Sequence, residues 1–214
     1  MKLFERVLLE QTIRGNRTYY HGGPLPFDIS LGLLAKGRSL VYLTPDEEYA
    51  TRYAQKCMDG DGDTGFIYLC KITRPLNIFN ARSDTDRKAM IKYFRESEEW
   101  AEYYEEFLDD ILDTLDIMKD QDWLESKGKI SRHDLFRNCK TLGYDGVFNF
   151  ETHMDLSGRP AIGLFVENDE SRKGYYSIPH PDVKILAKKQ LTLHKDRYDR
   201  KKKKTIEHGG WIYT

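Results

Sequence analysis

The residues best suited to chemistry lie in the segment Tyr19–Gly23, where a histidine is followed by two glycines. The imidazole of His21 can hydrogen-bond a ribose hydroxyl, and the main chain at Gly22 can approach a ligand closely because glycine has no side chain. On spacing alone, a histidine packed beside a tight turn is an equal alternative. We interpret the segment as one wall of a nucleotide-binding cleft.

Two tyrosines, Tyr42 and Tyr53, are separated by ten residues that contain a strand end, a turn and the first turns of a helix. This spacing can set the two rings face to face across a slot for a flat heterocycle, most favourably a cationic one. Considered one at a time, each ring is better explained as part of the core. Between them, Thr44 and Pro45 are typical of a helix start, with the Thr44 hydroxyl as the cap and Pro45 as the first helical residue.

The run Asp59–Gly65 has only a superficial likeness to a calcium-binding loop. Its sixth position is Thr64 instead of glycine, and Cys70 occupies the place of the bidentate glutamate. We expect a solvated hairpin-like loop there, and no metal. The cysteines, which include Cys57 and Cys139, match no zinc-binding spacing and are expected to be reduced thiols in a cytosolic protein.

The order of the predicted elements favours a single α+β domain over residues 1–214. The strands and the long helical block are segregated along the chain, which argues against a doubly wound fold. No glycine-rich dinucleotide motif follows a strand and no Walker motif occurs, so a nucleotide would be held in another way. The predicted strands are residues 17–21, 39–44, 66–73, 146–150, 161–166 and 183–186. One predicted helix starts at the cap residue 44, and two further helical segments cover 83–126 and 131–141.

The net charge of −1 conceals two opposed charge blocks. The first lies within an acidic helical insertion at 83–126, whose apolar face we expect to meet the core. The second lies in a basic C-terminal segment, 184–214. Its basic side chains either contact a polyanion such as nucleic acid or are solvated, alone or beside the acidic helices. They include Arg197, Arg200, Lys201, Lys202, Lys203 and Lys204.

The sequence contains no apolar run long enough to cross a membrane, and its first twenty residues do not have the features of a signal peptide. We therefore expect a cytoplasmic protein without membrane contact.

Taken together, these segments resemble the ADP-ribosyltransferase superfamily, in the His-Tyr-Glu branch that contains the diphtheria-toxin-like and poly(ADP-ribose)-polymerase-like enzymes. The resemblance covers residues 17–80 and 130–187. The matching stretches are Tyr20–Gly23, Val41–Asp46 with Ala50, Tyr53–Ala54, Phe66–Ile72 with Arg74–Leu76, and Leu142–Val147. A stretch like the last of these, Leu142–Val147, is common in small phage and bacterial members.

The resemblance implies a split, mostly antiparallel β-sheet core and a mono-ADP-ribosyltransferase that uses NAD⁺. Such an enzyme would modify a protein or a nucleic acid, as a phage or bacterial effector or toxin. The resemblance further implies that His21 holds the adenosine ribose, that the Gly22 main chain grips the nicotinamide carboxamide, and that Tyr42 and Tyr53 sandwich the nicotinamide ring. Thr44 belongs to the same implied site.

The catalytic glutamate of the family is expected at the head of a late strand, but the head of the strand 161–166 carries no acid. Glu151, which ends the preceding strand, is our first candidate, and Glu167 is the second. Asp155 lies in the intervening loop. If none of them is catalytic, the chain is a degenerate member that only binds a nucleotide, a nucleic acid or a partner protein.

A weaker alternative is a nuclease or hydrolase that uses His21 and Asp145. Asp145 is better explained as a turn residue before Gly146.

Overall fold

The computed structural model describes residues 12–13, 17–24, 40–61, 63–120, 132–151, 159–167, 179–195 and 204–213. These residues form an α+β protein with mostly antiparallel sheets, as the sequence predicts. They divide into two compact units. Unit 1 contains Met1–Arg14 and Pro75–Phe165, and unit 2 contains Gly15–Arg74 and Val166–Thr214.

The helices in the described part are α1 (Glu47–Asp61), α2 (Asp84–Glu96), α3 (Tyr104–Asp120) and α4 (Arg132–Thr141), with a 3₁₀ turn at Ala101–Tyr103. The strands are β1 (Thr12–Ile13), β2 (Thr18–Gly23), β3 (Leu40–Leu43), β4 (Thr64–Ile72), β5 (Leu76–Phe79), β6 (Gly146–Glu151), β7 (Arg159–Phe165), β8 (Val183–Lys195), β9 (Lys204–His208) and β10 (Ile212–Tyr213).

Unit 2 is built on an antiparallel sheet with the strand order β10-β8-β4-β2, and β9 also pairs with β8. Helix α1 covers one face of this sheet. The apolar residues between the helix and the sheet are almost fully buried, and burying a methionine, isoleucine or leucine side chain stabilises the fold by about 1.5–3 kcal/mol. They are Ala50, Ala54, Met58, Ile67, Leu191 and Leu193.

The start of α1 differs from the prediction by two residues. The cap is Asp46, whose Oδ1 accepts a hydrogen bond of 3.1 Å from the main-chain N–H of Tyr49. Thr44 acts one step earlier, because its hydroxyl accepts a 3.2 Å bond from the N–H of Asp46. Pro45 therefore precedes the helix, and Glu47 is its first residue. The aspartate cap and the acidic residues in the first turn stabilise the helix, because their negative charges lie at the positive end of the helix dipole.

The prediction of a solvated hairpin-like loop at Asp59–Gly65 is wrong. Helix α1 continues to Asp61, and β4 already begins at Thr64. A side chain at Gly65 would lie 2.8 Å from the carbonyl oxygen of Ala54 and 2.9 Å from the sulfur of Met58. This close packing of α1 on β4 outweighs the turn preference of the Asp-Gly sequence.

The basic C-terminal segment also has more structure than the sequence analysis predicted. The predicted strand 183–186 is the start of β8, which has 13 residues, and it is followed by β9 and β10. Leu191 and Leu193 of β8 are buried, at 0% and 6% exposure. The lysines of β8 therefore belong to a strand of the unit 2 sheet and not to a solvated tail.

Unit 1 contains β1, β5, β6 and β7 in that order, with β5 and β6 parallel and the other pairs antiparallel. The single helical block predicted at 83–126 is divided into α2, the 3₁₀ turn and α3. Helix α2 ends at Glu96, and the N–H of Ser97 bonds back to Tyr93. Residues 121–126 lie outside the described residues.

The helix predicted at 131–141 is confirmed as α4. It ends in a turn where the N–H of Tyr144 donates to Cys139 and Gly143 has a φ of +82°. Glycine adopts this left-handed conformation readily, which explains the residue that ends the helix.

Cys70 and Cys139 are free thiols, and both are buried. Burial raises the pKa of each thiol well above its usual value, so neither is a reactive thiolate near neutral pH. In the part of the chain that the structure describes, no helix has the length and apolar character that a membrane crossing requires.

Candidate functional site

His21 lies on β2, and its ring is fixed by the main chain of β3. The Nδ1 atom is 2.8 Å from the carbonyl oxygen of Tyr42. Because a carbonyl oxygen only accepts hydrogen bonds, Nδ1 carries the proton and donates it. In the neutral ring, Nε2 is then the basic nitrogen. This hydrogen bond brings together two of the positions that the sequence analysis assigned to the site.

The protonation state of His21 is set mainly by burial. Removal of the ring from water lowers its pKa below the usual value of 6.5, and the hydrogen bond to Tyr42 opposes this shift only in part. The ring also stacks at an angle on Tyr68, the residue opposite it on β4, with the ring centroids 6.1 Å apart. His21 is therefore neutral at pH 7.

The two glycines after His21 make room for different neighbours. A Cβ atom at Gly22 would lie 2.0 Å from the carbonyl oxygen of Ala50 in α1. A Cβ atom at Gly23 would lie 3.2 Å from Nε2 of His21. Gly22 thus allows α1 to pack on β2, and Gly23 leaves space for the imidazole. The helix contact accounts for Gly22 without any ligand.

The hydrogen bonds of β2 set the direction in which the main-chain N–H and C=O groups of Gly22 point. Tyr20 exchanges two hydrogen bonds with Thr44, of 2.7 and 2.9 Å. The N–H and C=O groups of Tyr20 therefore point away from β4. Because these groups alternate along a strand, those of Gly22 point to the same side. This orientation is what a main-chain contact with a ligand requires.

The remaining predicted NAD⁺ residues also belong to unit 2. Tyr42 lies on β3 and Tyr53 lies in the second turn of α1, and both side chains are partly exposed. Thr44 is buried, with 3% exposure, and its hydroxyl supports the start of α1. Thr44 therefore has a structural role at the start of α1.

The candidate acids are distributed over different parts of the chain. Glu151 is the last residue of β6, opposite Arg159, and belongs to unit 1. Glu167 follows β7, is exposed, and belongs to unit 2. Asp155 lies outside the residues that the structure describes. The choice among these acids stays a prediction.

Asp145, the residue of the hydrolase alternative, has a structural role. Its carboxylate accepts a 2.7 Å hydrogen bond from the N–H of Asn77, and its own N–H donates to the carbonyl oxygen of Asn77 at 2.7 Å. Its carbonyl oxygen accepts a bond from Phe165. Asp145 therefore connects three strands of unit 1, which supports its interpretation as a turn residue.

The positions predicted to contact a polyanion lie mostly outside the described residues, namely Arg197, Arg200 and Lys201–Lys203. Lys204 is the first residue of β9 and is paired with Lys195 of β8. Among the described residues, no cluster of three or more histidine, cysteine, aspartate or glutamate side chains has the arrangement to bind a metal ion.

Lys189 and Trp211 are not among the predicted site residues, yet they contact Glu47 and Tyr20. The alternation of apolar residues from Val183 to Leu193 predicts a strand much longer than 183–186, and this strand includes Lys189. No comparable signal in the sequence indicates Trp211.

Comparison with known proteins gives no assignment. The chain has no significant match among protein-family models, curated proteins or solved structures.

Proposed function

We propose that the protein is a mono-ADP-ribosyltransferase that transfers ADP-ribose from NAD⁺ to a protein or nucleic acid, as a phage or bacterial effector or toxin. The observation that carries the proposal is the 2.8 Å hydrogen bond between His21 Nδ1 and the carbonyl oxygen of Tyr42. It joins the histidine strand to the tyrosine strand, which are two of the segments on which the resemblance to ADP-ribosyltransferases rests.

His21 is suited to the adenosine ribose because of its tautomer. With the Nδ1 proton directed at Tyr42, the neutral ring can accept a hydrogen bond at Nε2, and a ribose hydroxyl can donate one. Burial favours the neutral ring and thus the accepting form. Protonation would replace the acceptor by a donor and would weaken this contact.

The nicotinamide end of NAD⁺ is assigned to Gly22, Tyr42 and Tyr53. The main-chain polar groups of Gly22 point away from β4, which suits a carboxamide that needs one donor and one acceptor. The nicotinamide ring of NAD⁺ is cationic, and tyrosine faces attract a cationic ring. The partial exposure of both tyrosines leaves ring surface for such a contact.

Cleavage of the bond between ribose and nicotinamide gives an oxocarbenium-like sugar, and the bond electrons leave with nicotinamide. A carboxylate beside the ribose stabilises the positive charge, and an acceptor nucleophile then attacks the sugar. We assign this carboxylate to Glu151 first and to Glu167 second. Asp155 completes the set to be tested.

Incubation of the protein with adenylate-labelled NAD⁺ and a cell extract tests the proposal. We expect release of nicotinamide and transfer of the label to a macromolecule. His21→Ala and Tyr53→Ala should each lower kcat/KM by at least about tenfold. Tyr103→Ala is the matched control, since Tyr103 is 46% exposed in unit 1, and it should leave the rate unchanged. No nicotinamide release and no label transfer by the wild type would refute the proposal.

A binding protein with a degenerate site is the second candidate. It is favoured by the head of β7, where the family's catalytic glutamate is expected but Arg159, Pro160 and Ala161 carry no acid. Replacing the catalytic carboxylate should lower kcat by about 10²–10³ without loss of NAD⁺ affinity. If Glu151→Gln, Asp155→Asn and Glu167→Gln all bind and turn over NAD⁺ as the wild type does, the mechanism is wrong. Binding of NAD⁺ without turnover by the wild type would establish the binding protein.

A further inference from the structure

A cluster of aromatic and charged side chains connects the C-terminal strand to the cleft wall. The Trp211 ring lies 6.3 Å from the Tyr20 ring, between centroids, and packs against the apolar cluster beneath α1. Lys189 is opposite Ile67 in the sheet and therefore lies on the face that α1 covers. All these residues belong to unit 2.

Lys189 extends this cluster to the first turn of α1. Its Nζ atom lies 5.7 Å from the centroid of the Trp211 ring and 3.5 Å from Oε1 of Glu47. The Lys189 side chain is only 18% exposed, whereas that of Glu47 is 39% exposed. Because a partly desolvated cation over an indole contributes more than a half-exposed ion pair, Trp211 is the stronger of the two contacts.

The contact of Trp211 with Tyr20 and the contact of Lys189 with Glu47 both involve segments that carry proposed site residues. Tyr20 directly precedes His21, and its main chain is hydrogen-bonded to Thr44. Glu47 begins the helix that carries Tyr53 and packs on Gly22. A movement of Tyr20 or of the start of α1 would therefore move the imidazole, the Gly22 main chain and the Tyr53 ring relative to one another.

We propose that Trp211 is a positioning residue of the site, and that with Lys189 it holds Tyr20 and the first turn of α1 in the arrangement that binds NAD⁺. The inference rests on the proposed function for its ligand, although the restraint on residues 42–50 does not depend on that ligand. In the part of the chain that the structure describes, Trp211 contacts Tyr20, Lys189 and the apolar cluster beneath α1, so its effect on NAD⁺ is indirect.

The neighbouring residue provides a matched control. Ile212 is 58% exposed and is paired with Lys188, so it lies on the face of the sheet opposite to Lys189. Ile212→Ala removes apolar side-chain atoms from the same strand without touching the cluster. Trp211→Phe is the conservative variant, because it retains an aromatic face for Tyr20 and Lys189.

The test combines hydrogen–deuterium exchange of residues 42–50 in the ligand-free protein with KM and kcat for NAD⁺. For Trp211→Ala we expect faster exchange in this segment and a rise in KM of about fivefold or more, with kcat changed by less than about twofold. Trp211→Phe should recover most of both effects, and Ile212→Ala should match the wild type. If Trp211→Ala does not fold, Lys189→Met should show the same effects in smaller measure, since it retains the aliphatic stem.

Unchanged exchange in residues 42–50 of a folded Trp211→Ala variant, or of Lys189→Met if Trp211→Ala does not fold, would overturn the inference. Failure of the proposed function has a different result. In that case the wild type neither binds nor cleaves NAD⁺, while the exchange of residues 42–50 still decides whether Trp211 holds the segment.

Discussion

The two adjacent glycines of β2 give the sharpest prediction, because the structure assigns them different neighbours. In Gly22→Ala, the new Cβ would lie 2.0 Å from the carbonyl oxygen of Ala50 and 3.2 Å from its Cα. Real Cβ atoms essentially never come closer than 3.0 Å to such an atom, so the main chain of α1 at Ala50 must move away from the strand. Since the obstacle is helix main chain, no side-chain rotation relieves it.

The expected cost of Gly22→Ala follows from two opposing effects. Overpacking of this kind costs about 1–3 kcal/mol, and loss of glycine freedom in the unfolded chain returns about 0.4–1 kcal/mol. We expect the severe contact to place the net loss near 2 kcal/mol, which corresponds to a fall in Tm of about 4–8 °C for a chain of this size.

Gly23→Ala is the matched control for stability. Its Cβ would lie 3.2 Å from Nε2 of His21, a side-chain atom that can move by a few tenths of an ångström. We expect a Tm within about 2 °C of the wild type but weaker NAD⁺ binding, because the imidazole is displaced. Thermal denaturation and calorimetric titration with NAD⁺ measure both variants. A Gly22→Ala variant as stable as the wild type would show that α1 does not pack on β2 as described.

Three further predictions concern other parts of the molecule. Because burial lowers the pKa of His21, the unfolded chain takes up its proton first as the pH falls below about 6.5, so stability should fall there. NAD⁺ affinity should fall only at a lower pH, where the imidazole of the folded protein becomes protonated, and His21→Asn should remove both effects in parallel denaturation and binding series. Asp86→Ala should lower the free energy of unfolding by about 3 kcal/mol in urea denaturation, since the buried carboxylate accepts bonds from Asn80 N–H and the Tyr144 hydroxyl; a loss below about 1 kcal/mol would contradict this. Gly143→Ala should cost about 1–2 kcal/mol through its φ of +82° alone, because no atom lies within 4 Å of the new Cβ, and Gly143→Asn, the control, should cost less.

Local chemistry made several elements predictable from the sequence. The helix at 131–141 was specified by its glycine terminator, and the confirmed φ of +82° at Gly143 shows why. The strand that carries His21 was predicted to end at residue 21, and Gly22 and Gly23 extend it by two residues. These signals depend only on residues close in the sequence.

Tertiary packing decided the elements that the sequence analysis misjudged. The Asp-Gly sequence at 59–65 favours a turn, but Ala54 and Met58 of α1 pack closely on Gly65 of β4. The helix therefore ends only three residues before the strand begins, at Asp61 and Thr64. The lysines of β8 obscured the alternation that continues to Leu193. Likewise, no local signal links Trp211 to Tyr20, which is 191 positions earlier in the chain.

Only part of the arrangement around His21 follows from the sequence. The resemblance groups His21 with Tyr42, and the structure joins the His21 ring to the main-chain carbonyl of Tyr42, while the role of the Tyr42 ring stays a prediction. The ligand contact of the Gly22 main chain also stays a prediction, and the structure adds that Gly22 makes room for α1 and Gly23 for the imidazole. A glycine pattern alone cannot distinguish a strand whose main chain approaches a ligand from a strand whose main chain approaches a helix.

The most direct test of the central claim is a crystal structure of the protein with bound NAD⁺. We predict the nicotinamide ring between Tyr42 and Tyr53, its carboxamide on the Gly22 main chain, and the adenosine ribose hydroxyl within hydrogen-bond distance of His21 Nε2. Such a structure would also show which of Glu151, Asp155 and Glu167 faces the nicotinamide ribose. NAD⁺ bound elsewhere, or no binding at millimolar concentration, would contradict the account.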